Sequence, residues 1–146
     1  MLRQAQNPLV MKGLTAVSWG GGRIDLFWVG DDGGLWHRAW SAGSWLPDDR
    51  LGGHLTSAPA VVSWAANEMQ VFVVARDGHL SNIYWDGTAW HHWVDMGGDF
   101  AAGAEVAAST SGANRIDVFV NSAGELWHRW WDGTQWVDWQ REDEPA

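Results

Sequence analysis

The chain has no cysteine, a single lysine (Lys12), a single tyrosine and no long apolar run. Without cysteine, disulfide scaffolds, zinc–thiolate centres and thiolate nucleophiles are excluded, and thiol usage says nothing of the compartment. Nine basic side chains face eighteen acidic ones, a net charge of −9, and no run of like charge exceeds Glu142-Asp143-Glu144. Nucleic acid and anionic membrane both reward clustered positive charge, so neither is an expected partner. No stretch approaches the roughly 18 apolar residues of a membrane span, and Met1 to Lys12 lacks the apolar centre of a signal peptide. The expectation is a soluble chain without a secretion signal, and at 146 residues it has one domain's worth of core.

What is abundant is tryptophan, 14 residues against four Phe, accompanied by 18 Gly. Few runs have helical spacing, and the composition points to many short strands joined by tight turns. The chain also repeats itself. Arg23-Ile-Asp-Leu-Phe-Trp-Val, then Gly34-Leu-Trp-His-Arg-Ala-Trp40, then Trp45 returns from Glu68 to Trp90 and again from Arg115 to Trp136. Phe27, Phe72 and Phe119 mark a period of about 46 residues, as do Trp40, Trp85 and Trp131. Three repeats, approximately 11–55, 56–100 and 101–140, fill the chain and leave a short acidic tail.

Each repeat reads as four strands. The first covers Thr15–Trp19, Ala60–Trp64 and Glu105–Ser109; the second covers Arg23–Val29, Glu68–Val74 and Arg115–Asn121. The third covers Leu35–Trp40, Leu80–Trp85 and Leu126–Trp131, and the fourth begins at Trp45, Trp90 and Trp136. Asp-Gly pairs at 32–33, 77–78, 86–87 and 132–133 supply the positive φ of tight turns. In the second strand, Ile24, Leu26 and Trp28 alternate with Phe27 and Val29, so both faces should be covered. A four-stranded sheet covered on both faces and repeated every 40 to 50 residues is the signature of a β-propeller blade. A twelve-stranded sandwich would explain the strands but not the period. The predicted fold is therefore all-β, with three blades per chain. Closed propellers usually have four to eight blades, so three must be completed by further copies. A six-bladed homodimer is the leading arrangement and a nine-bladed homotrimer the second; a fragment or engineered piece of a longer propeller is the mundane alternative.

The pattern Ser18-Trp-Gly…Gly-Arg-Ile-Asp-Leu-Phe, with Leu-Trp-His-Arg-x-Trp at Leu35–Trp40 and Leu126–Trp131, resembles the repeat of the Photorhabdus-lectin-like (PLL-like) propellers. That resemblance implies a non-catalytic propeller binding fucose or O-methylated glycans between adjacent blades. More distantly, Trp130-Trp131-Asp132-Gly133-Thr134-Gln135-Trp136 is similar to the turn of the Aleuria- and Ralstonia-type six-bladed fucose lectins. The Arg and Glu with which that family holds fucose fall at Asp25 or Asp117 and at His37 or His128, so its fucose chemistry does not transfer.

Sugar recognition calls for an aromatic platform against pyranose C–H groups and a few fixed polar groups for hydroxyls. Alternation puts Trp36, Arg38 and Trp40 on one strand face, and Trp127, Arg129 and Trp131 likewise, interleaving platform and donor. The competing reading stacks each Arg between indoles as packing between blades. His37 and His128 fall on the opposite face, where an inter-blade hydrogen bond is expected rather than ligand contact. Repeat two breaks the pattern with Ser81-Asn82-Ile83. Trp40, Trp45, Trp85, Trp90, Trp131 and Trp136 recur at matching points, as core residues whose edges can reach a pocket.

No metal or cofactor is expected. His91 and His92 are adjacent and so point oppositely, no His pair has ligand spacing, and Asp31-Asp32-Gly33-Gly34 reads as a turn rather than a calcium loop. Asp86-Gly87-Thr88-Ala89-Trp90 resembles part of the structural Asp-box of sialidase propellers. No nucleophile elbow or Walker loop occurs, so catalysis has no support in the sequence. The leading expectation is a multivalent lectin whose partners are glycans and copies of itself; a structural or protein-binding propeller module is the alternative.

Overall fold

A computed structural model describes residues 9–143. The N-terminal stretch before Leu9 and the end of the acidic tail lie outside the described residues. The described chain forms three antiparallel sheets in sequence order, the blades of a β-propeller, joined by short loops. The first blade comprises β1 (Lys12–Gly20), β2 (Arg23–Val29), β3 (Leu35–Ser41), β4 (Ser44–Trp45) and β5 (Asp49–Gly52). The second comprises β6 (Ala60–Val62), β7 (Met69–Val74), β8 (Leu80–Trp85) and β9 (Val94–Asp95), and the third β10 (Glu105–Gly112), β11 (Arg115–Ser122), β12 (Glu125–Trp131) and β13 (Trp136–Arg141).

The turn chemistry is as the Asp-Gly pairs require: Gly33, Gly78, Gly87 and Gly133 all have positive φ. Asp86 Oδ1 accepts hydrogen bonds from the Thr88 and Ala89 amides and the Thr88 hydroxyl, and Asp132 Oδ1 does the same for Thr134 and Gln135. The fourth strand departs from expectation. It is continuous only in the third blade; in the first it breaks between Trp45 and Asp49, where Pro47 has no amide to donate to the ladder. In the second blade Trp90 makes only an isolated bridge to Trp85, and the strand resumes at Val94.

Two apolar clusters fill the junctions between blades. Phe27, Leu35, Val17 and Trp19 of the first blade meet Met69, Val71, Val73 and Ile83 of the second. Val62, Phe72, Val74 and Leu80 of the second meet Ile116, Val118 and Val120 of the third. Each junction is tied by an indole donating to a backbone carbonyl of the preceding blade: Trp93 Nε1 to Leu51 O at 3.0 Å, and Trp139 Nε1 to Met96 O at 2.9 Å. The second strand is thus covered on both sides only in the middle blade. At the two ends one face has no neighbour among the described residues: Ile24 is 40 % exposed, Leu14 and Trp45 of the same blade are exposed too, and Phe119 is partly exposed where Phe27 and Phe72 are fully buried.

Candidate functional site

A cleft opens at the same place in both junctions. One wall comes from the following blade and uses three equivalent residues: Met69, Trp85 and Trp90 in the first cleft, Ile116, Trp131 and Trp136 in the second. The cavities measure about 240 Å³ and about 380 Å³. In each, the paired indoles stand at an angle, 58° for Trp85 and Trp90 and 65° for Trp131 and Trp136. Behind them, Trp90 meets Phe27 edge-on and Trp136 meets Phe72 in the same manner.

The outer indole of each pair is clamped by an asparagine. Trp85 Nε1 donates to Asn67 Oδ1 at 2.9 Å and Trp131 Nε1 to Asn114 Oδ1 at 3.0 Å, while each Asn amide holds the carbonyl of Gly87 or Gly133. Both asparagines have positive φ, 58° and 65°, which Asn tolerates better than most residues. The sequence signal for this clamp is an Asn immediately before the second strand in repeats two and three, where repeat one has Gly22.

The opposite wall comes from the preceding blade and differs between clefts. In the first it presents Arg23 and His37. Arg23 grips Asp25 with two bonds of 2.9 Å, and Asp25 Oδ1 lies 2.6 Å from His37 Nε2. His37 Nδ1 is 3.4 Å from Asp49. Asp25 is wholly buried; burial alone would raise its pKa, but the His37 and Arg23 hydrogen bonds together hold it below the ordinary 3.8. The third blade repeats the triad as Arg115, Asp117 and His128, with His128 Nδ1 3.2 Å from Glu142. Both histidines are therefore satisfied within their own blade, not across a junction as expected, because strand register sets His37 opposite Phe27, one pleat from Asp25. In the second cleft the triad positions hold Glu68, Gln70 and Asn82 instead.

The remaining residues singled out from the sequence are dispersed. Arg129 donates Nη1 to Met96 O at 2.6 Å and Nε to Val137 O at 3.1 Å, which makes it a junction tie. Trp127 lies beneath Arg141 on the same junction side. Arg38 pairs with Asp48 at 2.6 Å above the Trp28 ring, and Trp36 Nε1 donates to Asp32. Trp40 and Trp45 form a third angled pair with Ile24 alongside, the counterpart of the two cleft walls, on the face of the first blade that has no neighbour among the described residues. The structure also gathers Asp77, His79 and Asp95, whose ligand atoms lie within 4.8 Å of one another. No sequence spacing revealed that trio, since Asp95 arrives from the adjoining strand. His79 Nδ1 is already 2.9 Å from Asp95, whose carboxylate raises the imidazole pKa.

No family model matches the chain, and no curated protein matches it. Solved structures do. A six-bladed fungal lectin from Aleuria aurantia, whose structure describes a novel fucose recognition mode, is 19 % identical with a TM-score of 0.77, over 91 % of this chain and 45 % of its own. SapL1 lectin, solved with α-methyl fucoside, is 21 % identical with a TM-score of 0.75, over 90 % of this chain and 46 % of its own. A fucose lectin from Kordia zhangzhouensis, solved with methyl-fucoside, is 20 % identical with a TM-score of 0.63, over 92 % of this chain and 100 % of its own. This chain thus spans about half the length of the first two, and it shares with all three the β-propeller fold of lectins.

Proposed function

We propose that the protein is a multivalent lectin that binds glycans in the clefts between its blades, without catalysis. The observation that carries this reading is the recurrence of one aromatic wall, with the same buttressing Phe and angled indoles, at both junctions. A purely structural role for these indoles would favour closed packing, whereas each junction retains a cavity roughly the size of a monosaccharide or larger. The lectins of like fold were solved with fucosides, and the PLL-like resemblance adds O-methylated glycans to the candidates. The resemblance to the Aleuria- and Ralstonia-type lectins sets Asp25 and His37 at the positions of their fucose-holding Arg and Glu, which implies that any fucose here is held by different groups.

The reading extends to assembly. The uncovered Ile24, Trp40 and Trp45 wall on one end and the uncovered Asp117, His128 and Phe119 face on the other are the two halves of a junction, so a second copy completes a further cleft of the same kind. Two copies close six blades and three close nine, six being the favoured ring.

The test is a glycan array followed by titration of tryptophan emission. The expected result is binding of fucosylated or O-methylated glycans that is impaired at one site by Trp90→Ala and at another by Trp136→Ala. No glycan binding by the folded protein would favour the structural or protein-binding module instead.

A further inference from the structure

The second cleft differs from the first in charge as well as size. Where the first and third blades place an arginine, Arg23 and Arg115, the second blade places Glu68, and the neighbouring Asp and His become Gln70 and Asn82. Among the described residues Glu68 has no hydrogen-bond or ion-pair partner, and the same is true of the Tyr84 hydroxyl. The other carboxylate on this cleft, Asp86, is already engaged by its turn and by His91 at 2.7 Å. Among the described residues no lysine or arginine lines the cavity, while Trp64, Tyr84, Trp131 and Trp136 do.

Aromatic rings around one unpaired carboxylate are the chemistry that recognises an organic cation, because the negative ring faces and the carboxylate both attract an ammonium group, primary or quaternary. We propose that the cleft between the second and third blades binds a ligand carrying an ammonium group, with Glu68 as its counter-ion and Trp131 and Trp136 as two sides of the aromatic box. This deepens the lectin reading for one of its sites and rests on it for the cleft's being a ligand site. Burial, with nothing to offset it, pushes the Glu68 carboxyl up from its ordinary value, a cost that a bound cation would offset. The first cleft has no such vacancy, since Arg23 and Asp25 satisfy each other. An amino sugar and a choline headgroup share the required chemistry.

The test titrates the full chain with choline and with D-glucosamine, each against its uncharged counterpart, 3,3-dimethylbutan-1-ol and D-glucose, following tryptophan emission at low salt. At least one ammonium probe is expected to bind about tenfold or more tighter than its counterpart, and added salt to erode that preference while leaving the neutral probes unchanged. Glu68→Gln, nearly isosteric at a residue without partners, is expected to abolish the preference without lowering the melting temperature. Whichever ammonium probe binds tighter assigns the ligand to the sugar or the choline class. Equal binding of charged and neutral probes, no binding of either ammonium, or an unchanged preference in Glu68→Gln overturns the proposal. Glycan-array binding that survives any of these outcomes leaves the lectin reading standing, whereas its absence from the unmodified protein overturns that reading separately.

Discussion

At the scale of single residues, stability and recognition are carried by different polar groups. Asp25 has no solvent contact and answers two donors, so Asp25→Asn leaves the His37–Arg23 pair without its anion; a loss of about 3 kcal/mol is expected in urea unfolding. The same group predicts an acid dependence. Its folded pKa lies below the ordinary 3.8, as does that of Asp117, held down chiefly by Arg115. The unfolded chain therefore takes up protons first as pH falls, and the stability these two carboxylates supply is complete above about pH 5 and drains away through and below 3.8. Melting temperature measured from pH 6 to pH 2.5 should fall through that window, and less so in Asp25→Asn. Asn67 offers a separate test, because it combines positive φ with two side-chain bonds. Asn67→Gly retains the conformation and should cost about 1 kcal/mol, while Asn67→Ala adds backbone strain and should cost about 2 kcal/mol or more.

Elements are held to one another by a few directional ties laid over apolar junctions. Met96 O accepts both Arg129 and the Trp139 indole, joining the third blade to the second at one carbonyl. Arg129→Met, which retains the stem's volume, should lower stability by about 1–3 kcal/mol by leaving part of that carbonyl's bonding unmet, as read by the urea midpoint. Glycan binding in the first cleft should be unaffected, because Arg129 does not line it. A loss of glycan binding in the second cleft, whose lining also lacks Arg129, with unchanged stability would restore Arg129 to the ligand-contacting role that strand alternation alone suggested.

For the whole molecule, the decisive fact is that two broad sheet faces end without neighbours among the described residues. Leu14, Ile24 and Trp45 on the first blade are exposed to 55 %, 40 % and 47 %, a density of apolar surface that favours burial against another copy. Light scattering is expected to give the mass of two chains, and three would select the nine-bladed ring. Melting temperature should rise with protein concentration, since association stabilises the folded form. Ile24→Glu, on that face and away from both completed clefts, should shift the mass toward one chain, lower retention on glycan-coated surfaces and leave free-sugar binding at those two clefts in place, because avidity and the cleft between copies are lost rather than their intrinsic affinity.

The amino-acid sequence by itself determined the strands, the turns and the threefold repetition, since these depend on alternation, Asp-Gly pairs and period, all of which are local. It also exposed the divergence of repeat two at Ser81-Asn82-Ile83. Only the tertiary structure decided which face of each strand meets a neighbour. Trp127 and Arg129 read as a platform and a donor until the junction engaged them, while Trp85 and Trp90 read as core residues whose edges could reach a pocket, and the cavity beside them is set by the neighbouring blade. The Asn67 and Asn114 clamps, the Arg23–Asp25–His37 triad and the unpartnered Glu68 share one reason for being hidden. Each is defined by what lies across a strand pair or a blade junction, a distance that sequence spacing does not encode.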